Sequence, residues 1–495
     1  MLTPRGAGIL LHPTSLPGPH GIGDLGDAAH AWIDFLTRAG QRLWQVLPLG
    51  PTGFGDSPYQ SFSAFAGNPY LVSPERLVAD GLLTGEDLGG APRTDPDRVD
   101  FGTAIRWKVA LLERAHARFA AGRGDSLRAP FAAFKAEHRS WLDDFALFMA
   151  LKASQDGAWN EWEEGLALRE AGPLAAARAT LESAIEAQRF HQFLFFRQGA
   201  DGRAHARAAG VRILGDIPIF VAFDSADVWA HRELFELDAL GRATVVAGVP
   251  PDYFSPTGQR WGNPLYRWKT LERAGYGWWI ERVRAQLALV DLIRADHFRG
   301  FVAHWEVPAA APTAETGRWV EGPGRRIFDA LEAALGALPI VAEDLGDITP
   351  EVERLRDSLG LPGMKVLQFA FGDDASNAFL PHRFERNCVV YTGTHDNDTT
   401  RGWYEVSATA RERDFARRYL RSDGHDFAWD LIRLAFASVA DLAIVPLQDA
   451  LDLGTEARMN LPGRLSGNWR WRFRAEHLTP ALGERLRELA TLYGR

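Results

Sequence analysis

Short apolar runs recur along the whole chain, and each is closed by a polar residue or by Gly or Pro. They are short, and many are rich in β-branched residues, which is typical of buried strands. Eight such runs lie at 8–12, 43–48, 212–220, 291–296, 339–344, 365–371, 389–396 and 442–449. Most are followed by a segment with helical periodicity, so the pattern predicts strands that alternate with helices.

Two of the intervening segments carry clear helix signals. The segment that begins at Asp24, D-L-G-D-A-A-H-A-W-I-D-F-L, has apolar residues at helical spacing. The segment 349–360, T-P-E-V-E-R-L-R-D-S-L-G, has Thr at the cap, Pro in the first turn and Gly at the end. These are the residues that begin and end helices. Both segments are therefore predicted to be helices.

The fold class predicted from this alternation is α/β, with a parallel sheet closed as a (β/α)8 TIM barrel. A doubly wound open sheet is the alternative. The barrel is favoured because polar residues recur at or near the carboxyl ends of the runs, where a barrel would gather them at one mouth. These residues are His12, Asp216, Asp296, Glu343, Asp344, His395, Asp396, Gln448 and Asp449.

The spacing of the runs predicts one catalytic domain over 1–495 with two insertions. The interval 51–210, between the second and third strands, is far longer than a crossover helix needs. It contains a loop rich in Pro, Gly, Ser and Phe at 51–70 and a mainly helical stretch at 102–200. The second insertion, 222–277, has little periodicity and includes an active-site loop at 250–266.

The composition and charge of the chain exclude several classes of function. The chain has 495 residues, a net charge of −9 and one cysteine, Cys388. An acidic chain lacks the basic surface that nucleic acids require, and one cysteine can form neither an internal disulfide nor a cysteine-based zinc cluster. The first residues include no apolar run long enough for a signal peptide, and no run approaches the length of about 18 residues that spans a membrane. We therefore expect a cytoplasmic protein that binds neither nucleic acid nor membrane.

The carboxylates at the predicted mouth fit two kinds of chemistry. Hard cations bind carboxylate oxygens, which would make the mouth a magnesium site. Glycoside chemistry needs two carboxyl groups, one that donates a proton and one that attacks or activates water. The cations among these residues, Arg294 and Arg299 with His297 and His395, favour glycoside chemistry, because a cation beside a carboxylate supports a charged nucleophile and repels a metal ion.

Arg294 and Asp296 are two positions apart on one predicted strand, so their side chains share a face and point into the mouth. Arg294 would hold Asp296 ionised and oriented, although a purely structural ion pair is the alternative. The proton donor needs a raised pKa, which apolar surroundings supply. Glu343 and Asp344 both follow a buried run, and adjacent strand residues face opposite ways. Alternation by itself does not choose between them.

Three segments contribute residues to this predicted mouth: I-R-A-D-H-F-R-G (293–300), V-A-E-D-L-G (341–346) and G-T-H-D-N-D-T (393–399). They resemble the catalytic segments of the amylomaltases, the 4-α-glucanotransferases of glycoside hydrolase family 77 in the α-amylase clan. Further motifs extend the resemblance along nearly the whole chain: L-H-P-T-S-L-P-G-P-H-G-I-G-D-L-G, D-S-P-Y-Q-S-F-S-A-F-A-G-N-P-Y, G-D-I-P-I-F-V, P-P-D-Y-F-S-P-T-G-Q-R-W-G-N-P and E-A-R-M-N-L-P-G.

The resemblance implies roles for individual residues. Asp296 matches the nucleophile, Glu343 the general acid/base, and Asp396 the carboxylate that stabilises the transition state. The substrate-binding residues that it implies are Tyr59, Asp216, Arg294, His395, Asp252, Tyr253, Phe254, Trp261 and Asn468. The positions 460–463 lie with Asn468 and Trp469 in a second loop near the site, and Phe54 stands where relatives can carry Tyr at a remote glucan contact.

The implied function is retaining transfer of α-1,4-glucan segments from a maltooligosaccharide, starch or glycogen chain to the 4-hydroxyl of an acceptor, with cyclic products as one outcome. The expected protein is a monomer that uses no cofactor and no metal. An α-amylase-like retaining hydrolase is the alternative, since the same three carboxylates would serve it. A glucan-binding protein on a degenerate barrel is the third reading, and it would predict the loss of at least one of these carboxylates.

Overall fold

The computed structural model describes residues 5–251, 255–464 and 466–495. Eight strands form one parallel sheet in the order β10-β11-β12-β1-β2-β3-β6-β9. The bounds of these strands are β1 Gly6–Leu10, β2 Leu43–Gln45, β3 Arg212–Pro218, β6 Leu292–Asp296, β9 Ile340–Ala342, β10 Gly363–Val366, β11 Cys388–Tyr391 and β12 Leu442–Pro446.

The sheet closes into a barrel where its two outer strands meet. The backbone N–H of Ala342 in β9 donates to the carbonyl oxygen of Pro362, one residue before β10, at 2.9 Å. Every apolar run that was predicted as a strand contributes one barrel strand, in the predicted order. The (β/α)8 barrel is confirmed, and the open-sheet alternative is wrong.

Several strands end earlier than their apolar runs predicted. β11 ends at Tyr391 and not at 396, and β12 ends at Pro446 and not at 449. The residues after β11 bond to nearby side chains instead of a neighbouring strand: the N–H of Thr394, for example, donates to Asn397 Oδ1 at 2.9 Å. The residues directly after β12 form a short helix, Leu447–Ala450. The polar residues after these strands therefore lie on loops and short helices.

The helices surround the barrel and fill the long second connection. Those up to the third barrel strand are α1 Asp27–Arg38, α2 Pro74–Ala79, α3 Gly85–Leu88, α4 Phe101–Ala120, α5 Arg128–Glu137, α6 Arg139–Ser154, α7 Glu164–Ala167, α8 Ala171–Thr180 and α9 Glu182–Ala208. Those that follow are α10 Ala226–Ala230, α11 Trp268–Arg273, α12 Gly277–Leu289, α13 Arg325–Leu335, α14 Pro350–Ser358, α15 Thr400–Gly402, α16 Ala410–Leu420, α17 Phe427–Ala437, α18 Leu447–Ala450 and α19 Pro480–Leu492.

The predicted insertion 51–210 holds α2 to α9, and its last helix belongs to the barrel wall. α9 packs against α1 and α12 and against β3. The same helix packs on α4, α5 and α6 at its other faces. It is therefore both the crossover into the third strand and the support for the helices inserted before it.

A second, antiparallel sheet of four strands was not predicted. Its order is β5-β4-β7-β8, with β4 Val245–Val249, β5 Gln259–Pro264, β7 Ala303–Pro308 and β8 Arg318–Glu321. Part of the predicted loop 250–266 is thus the strand β5. The sheet joins two segments that are some forty residues apart along the chain, so no local pattern marks it.

No helix in the described ranges has the length and apolar character that a membrane crossing requires.

Candidate active site

A buried arginine links two carboxylates at the carboxyl ends of β3 and β6. Arg294 lies opposite Asp216 in the register of these strands. Its Nη1 donates to Asp216 Oδ2 at 2.6 Å, and its Nη2 lies 2.7 Å from Asp296 Oδ1. Because Arg294 and Asp296 are two positions apart on one strand, both face the barrel interior. The predicted pairing of Arg294 with Asp296 is present in the structure.

The three charges differ in their exposure. The side chains of Arg294 and Asp216 are 5% and 0% exposed, whereas that of Asp296 is 26% exposed. Burial raises the pKa of Asp216 to about 7, while Arg294 and the Tyr59 hydroxyl favour its ionised form. Of the two carboxylates, only Asp296 can therefore contact a ligand in the mouth. Asp216 and Arg294 lie deeper and hold Asp296 in place.

Glu343 is buried beside this cluster and is held by two backbone donors. The N–H of His297 donates to its Oε2 at 2.7 Å, and the N–H of Leu345 donates to its Oε1 at 3.0 Å. Burial raises the pKa of Glu343 to about 7, and the negative charge of Asp296 acts in the same direction. A carboxyl group with this pKa can both donate and accept a proton near neutral pH.

Asp344, the next residue, faces away from the mouth. Its Oδ1 accepts from the N–H of Met364 at 2.7 Å, and its Oδ2 accepts from Arg356 on α14. Burial raises the pKa of Asp344, and Arg356 opposes that effect. Alternation along the strand did not show which of Glu343 and Asp344 faces the mouth. In the structure, Glu343 lies on the side of Asp296 and Arg294.

The donor to Glu343 depends on an unusual backbone at His297. This residue directly follows β6 and has φ +52°, in the left-handed region that a non-glycine residue rarely adopts. Its partly buried ring meets Trp261 edge-on with centroids 4.9 Å apart. Strained backbone of this kind recurs at functional sites. Here it turns the His297 N–H toward Glu343.

Asp396 lies on the loop after β11 and not on a strand. Its side chain is 45% exposed, and its Oδ2 lies 3.3 Å from His395 Nε2. Its Oδ1 accepts from Asn460 Nδ2 at 2.6 Å. Burial lowers the pKa of His395, and the negative charge of Asp396 opposes that effect.

An aromatic group connects the two sides of the mouth. The Tyr59 ring stacks on His395 with centroids 5.1 Å apart and planes 12° apart, and Trp469 lies 5.8 Å from both rings. The Tyr59 hydroxyl donates to Asp216 Oδ2 at 2.7 Å. Trp469 has φ +64°, a second left-handed position at this site.

The loop that carries Tyr59 is fixed to the inserted helices. Gln192 on α9 accepts from the N–H of Gly67 at 2.7 Å and donates to its carbonyl at 2.8 Å. A Cβ at Gly67 would lie 1.9 Å from Phe195 Cδ1, so only glycine permits this close approach. The helical insertion thus holds the predicted loop 51–70 against the barrel.

The remaining predicted residues have different placements. Trp261 lies on β5 against His297, close to the acid/base candidate. Asn468 is partly buried and closes its own loop: its Oδ1 accepts from the N–H of Leu461, and its Nδ2 donates to the carbonyl of Arg464 at 3.0 Å. Asp252, Tyr253 and Phe254 lie outside the described residues.

Two of the polar residues expected at the mouth are structural. Asp449 is buried in α18, where it accepts from Thr400 N–H at 2.7 Å and from the hydroxyls of Thr392 and Thr400. Gln448 donates to the carbonyl of Ala457 at 3.3 Å. Both brace the loops behind Asp396, because β12 ends before them.

Sequence reasoning missed the side-chain contact of Asn460 with Asp396 and the anchoring role of Gln192. Their partners are 64 and 125 residues away along the chain. The only local signal was the motif that ends in N-L-P-G, which indicated a loop near the site without indicating a partner.

The side chains at the mouth can donate a proton to a bound molecule and attack it as a nucleophile. It holds a carboxylate supported by a buried cation and a separate carboxyl group with a pKa near 7. This pairing serves retaining glycoside chemistry. The fold and the site therefore define a class, the (β/α)8-barrel enzymes that act on glycosidic bonds.

Comparison with known proteins identifies the family. The 4-alpha-glucanotransferase profile of glycoside hydrolase family 77 matches residues 11–479. The chain is 54% identical to a 4-alpha-glucanotransferase of Thermus thermophilus, covering 99% of each chain, and 50% identical to one of Synechocystis, covering 100% of this chain and 99% of the other. A solved amylomaltase of Streptococcus agalactiae, in complex with acarbose, superposes with a TM-score of 0.96 at 38% identity over 99% of each chain.

The chain belongs to this family of 4-α-glucanotransferases. Its activity is that of a 4-α-glucanotransferase, and the hydrolase alternative is not favoured.

Proposed function

We propose that Asp296 and Glu343 transfer an α-1,4-glucan segment by a retaining double displacement. Asp296 attacks the anomeric carbon, and the bond from that carbon to the departing oxygen breaks. Glu343 gives its proton to this oxygen, so the reducing-end fragment leaves as a free sugar. The non-reducing segment stays attached to Asp296 through an ester bond.

The second step reverses these roles. The 4-hydroxyl of an acceptor sugar attacks the same anomeric carbon, and Glu343 now takes the hydroxyl proton. The ester bond breaks, which returns Asp296 as a carboxylate and leaves a new α-1,4 bond. We expect a separation of about 5–5.5 Å between the two carboxyl groups, as a retaining mechanism requires.

Asp396 is the third carboxylate of the proposal. Its exposed side chain would accept hydrogen bonds from hydroxyls of the reacting sugar and stabilise positive charge at the transition state. Arg294 would keep Asp296 in place, and the Tyr59 ring would stack on the donor sugar. His395, Trp261 and Asn468 complete the proposed substrate-binding set, together with Asp252, Tyr253 and Phe254. Asp216 has no exposed side-chain surface and would support this set indirectly, because it pairs with Arg294 and accepts from the Tyr59 hydroxyl.

The raised pKa of Glu343 next to Asp296 is the observation that supports this assignment most directly. Burial moves the pKa of Glu343 to about 7, while Arg294 lies 2.7 Å from Asp296. Two carboxyl groups in such different surroundings can act as a proton donor and a charged nucleophile at the same pH.

The proposed donors and acceptors are maltooligosaccharides and the chains of amylose, starch or glycogen. The acarbose bound to the Streptococcus agalactiae amylomaltase supports α-glucans as the substrate class. We further propose a monomer, which light scattering of the purified protein tests: a mass near 54.8 kDa is expected, and twice that mass would contradict it.

We further propose that the loop 250–266, of which residues 252–254 lie outside the described part of the chain, is a lid that favours an acceptor sugar over water. Its described residues include β5, which pairs with β4 in the second sheet, and Trp261 on β5 packs against His297 beside Glu343. Excluding water protects the ester intermediate from hydrolysis. Changing Tyr253 or Phe254 to Ala should raise the ratio of hydrolysis to transfer, and an unchanged ratio would contradict the lid.

Maltotriose alone, mixed with the purified protein, tests the function. We expect glucose and a ladder of longer maltooligosaccharides while the total number of reducing ends stays constant. A rise in reducing ends without a ladder would instead indicate a hydrolase. No change in either would indicate a glucan-binding protein.

A further inference from the structure

Asp396 is held differently from the other two carboxyl groups. Asp296 contacts a buried cation, and Glu343 accepts from two backbone N–H groups. Asp396 is nearly half exposed on a loop, and a side-chain amide, Asn460 Nδ2, donates to its Oδ1 at 2.6 Å. Because this donor is a neutral amide, it does not neutralise the negative charge of Asp396.

The segment around Asn460 is bonded to the loop of Asp396 at several further points. The Asn460 N–H donates to the carbonyl of His395 at 3.0 Å. Arg458 donates through Nη2 to the carbonyl of Asp396 at 2.6 Å and through Nε to the carbonyl of Asn460 at 2.8 Å. Thr455 Oγ1 donates to Asp398 Oδ2 at 2.9 Å. The amide of Asn460 is therefore presented to Asp396 by a braced backbone.

We propose that Asn460 is the positioning residue that sets the orientation of the Asp396 carboxylate for the glucan-transfer reaction. The proposal rests on the role given to Asp396 above. A carboxylate offers about four lone-pair directions, so one bond from Asn460 and one contact with His395 leave others for sugar hydroxyls. An exposed carboxylate without the Asn460 bond would turn freely about its side-chain torsions, and its alignment at the transition state would be lost.

Two substitutions of Asn460 separate positioning from simple support. Asn460→Ala removes the donor, and we expect kcat to fall about 10- to 100-fold, the loss typical of a hydrogen bond to a charged group, with KM changed less than about threefold. Asn460→Asp keeps the shape but places a second carboxylate against Asp396. Repulsion between the two carboxylates raises the pKa of one of them, so the pair takes up a shared proton as the pH falls through the mildly acidic range.

The diagnostic readout is the pH dependence of each variant relative to the parent protein. For Asn460→Asp, we expect relative kcat to rise as the pH falls from about 8 to about 5, because a protonated pair restores the hydrogen bond. For Asn460→Ala, the ratio should stay constant. The other ionisable groups around Asp396 are His395, Tyr59 and Arg458, with Asp398 near Arg458. They are present in both variants and cancel in the comparison.

Asn387→Ala is the matched control, since Asn387 is exposed just before β11, at the end of that strand away from the mouth, and donates one hydrogen bond, to the carbonyl of Gly360 at 3.2 Å. It should keep the parent kcat and thermal unfolding temperature. Asn460→Asp is isosteric, so it carries the test if Asn460→Ala unfolds. Asp396→Asn separates the two proposals: full activity in that variant would overturn the role of Asp396 itself. Loss of activity there, with Asn460→Ala at parental kcat or with a flat pH ratio for Asn460→Asp, would overturn the role of Asn460.

Discussion

The two sides of the active-site mouth hold their carboxyl groups by different means. On the side of β3, β6 and β9, Arg294 is buried between Asp216 and Asp296 at strand ends fixed by the barrel hydrogen bonds. On the side of β11, Asp396 lies on a loop and depends on the amide of Asn460 from another loop. A buried ion pair holds the first side, whereas hydrogen bonds from the Asn460 amide, from backbone N–H groups and from Arg458 hold the second.

The two sides differ because a different chemical role is proposed for each. A nucleophile must stay charged at one fixed point, and a buried cation on a strand supplies both conditions. A carboxylate that accepts sugar hydroxyls must remain open to the mouth, which a buried ion pair would prevent. The Tyr59 ring joins the sides, because it donates to Asp216 and stacks on His395.

The largest effect is expected from Glu343→Gln, which removes the proton donor and keeps the shape. We expect kcat for maltotriose disproportionation to fall about 10³- to 10⁴-fold, the upper range for general acid–base catalysis. Initial rates of glucose release measure it.

Asp344→Asn is the matched control for this variant, because Asp344 is adjacent and faces α14. It should lower the unfolding temperature and leave kcat per folded molecule unchanged. If Asp344→Asn lost as much kcat as Glu343→Gln, the assignment of the two faces would be wrong.

Arg294→Met should destabilise the side of the mouth that β3, β6 and β9 form. Removing one partner from a buried ion pair costs about 3–5 kcal/mol of unfolding free energy, since Asp216 is left buried without its cation. Urea unfolding measures the loss, and transfer assays should show activity falling with it.

The double variant Arg294→Met with Asp216→Asn tests the physical cause. Neutralising Asp216 removes the unpaired charge, so we expect part of the stability to return while activity does not. If Arg294→Met were as stable as the parent protein, the ion pair would not be what stabilises this side of the mouth.

The pH profile of kcat/KM should fall on the alkaline side with an apparent pKa of about 7. Burial raises the pKa of Glu343 to about 7, and Glu343 must be protonated to act as the acid, so rising pH removes the active form. Above that pKa the rate should drop about tenfold per pH unit.

An α-maltosyl fluoride donor sharpens this test, since fluoride leaves without a proton. The alkaline fall should then disappear from kcat/KM, which reports the first displacement. If the fall persisted with the fluoride, the titrating group would be Asp216, whose pKa burial also raises to about 7.

The smallest effect is expected from Tyr59→Phe, which keeps the ring and removes the hydroxyl that donates to Asp216. The loss of one hydrogen bond should lower kcat/KM about 2- to 10-fold. Tyr59→Ala should cost more, because it also removes the stacking on His395. Equal losses in the two variants would mean that the ring does not contribute.

Local patterns were enough for the barrel and for its charged centre. The apolar runs located all eight strands, because a buried parallel strand must be apolar along its whole length. The two-residue spacing of Arg294 and Asp296 predicted a shared face, and they are 2.7 Å apart. The ends of the strands were less predictable. The backbone after Tyr391 bonds to a side chain of its own loop, and the backbone after Pro446 continues directly into α18, and the apolar runs mark neither change.

The sequence by itself determined the eight strands, the helix signals around them and the family motifs, because each depends on residues close together along the chain. Only the tertiary structure decided that Glu343 faces Asp296 while Asp344 faces Arg356, and that Asn460 holds Asp396. It also decided that β4 pairs with β7, which joins β5 and β4 to β7 and β8 in one sheet. These contacts join distant segments, and the closure of the barrel, which no single segment encodes, brings their side chains within bonding distance.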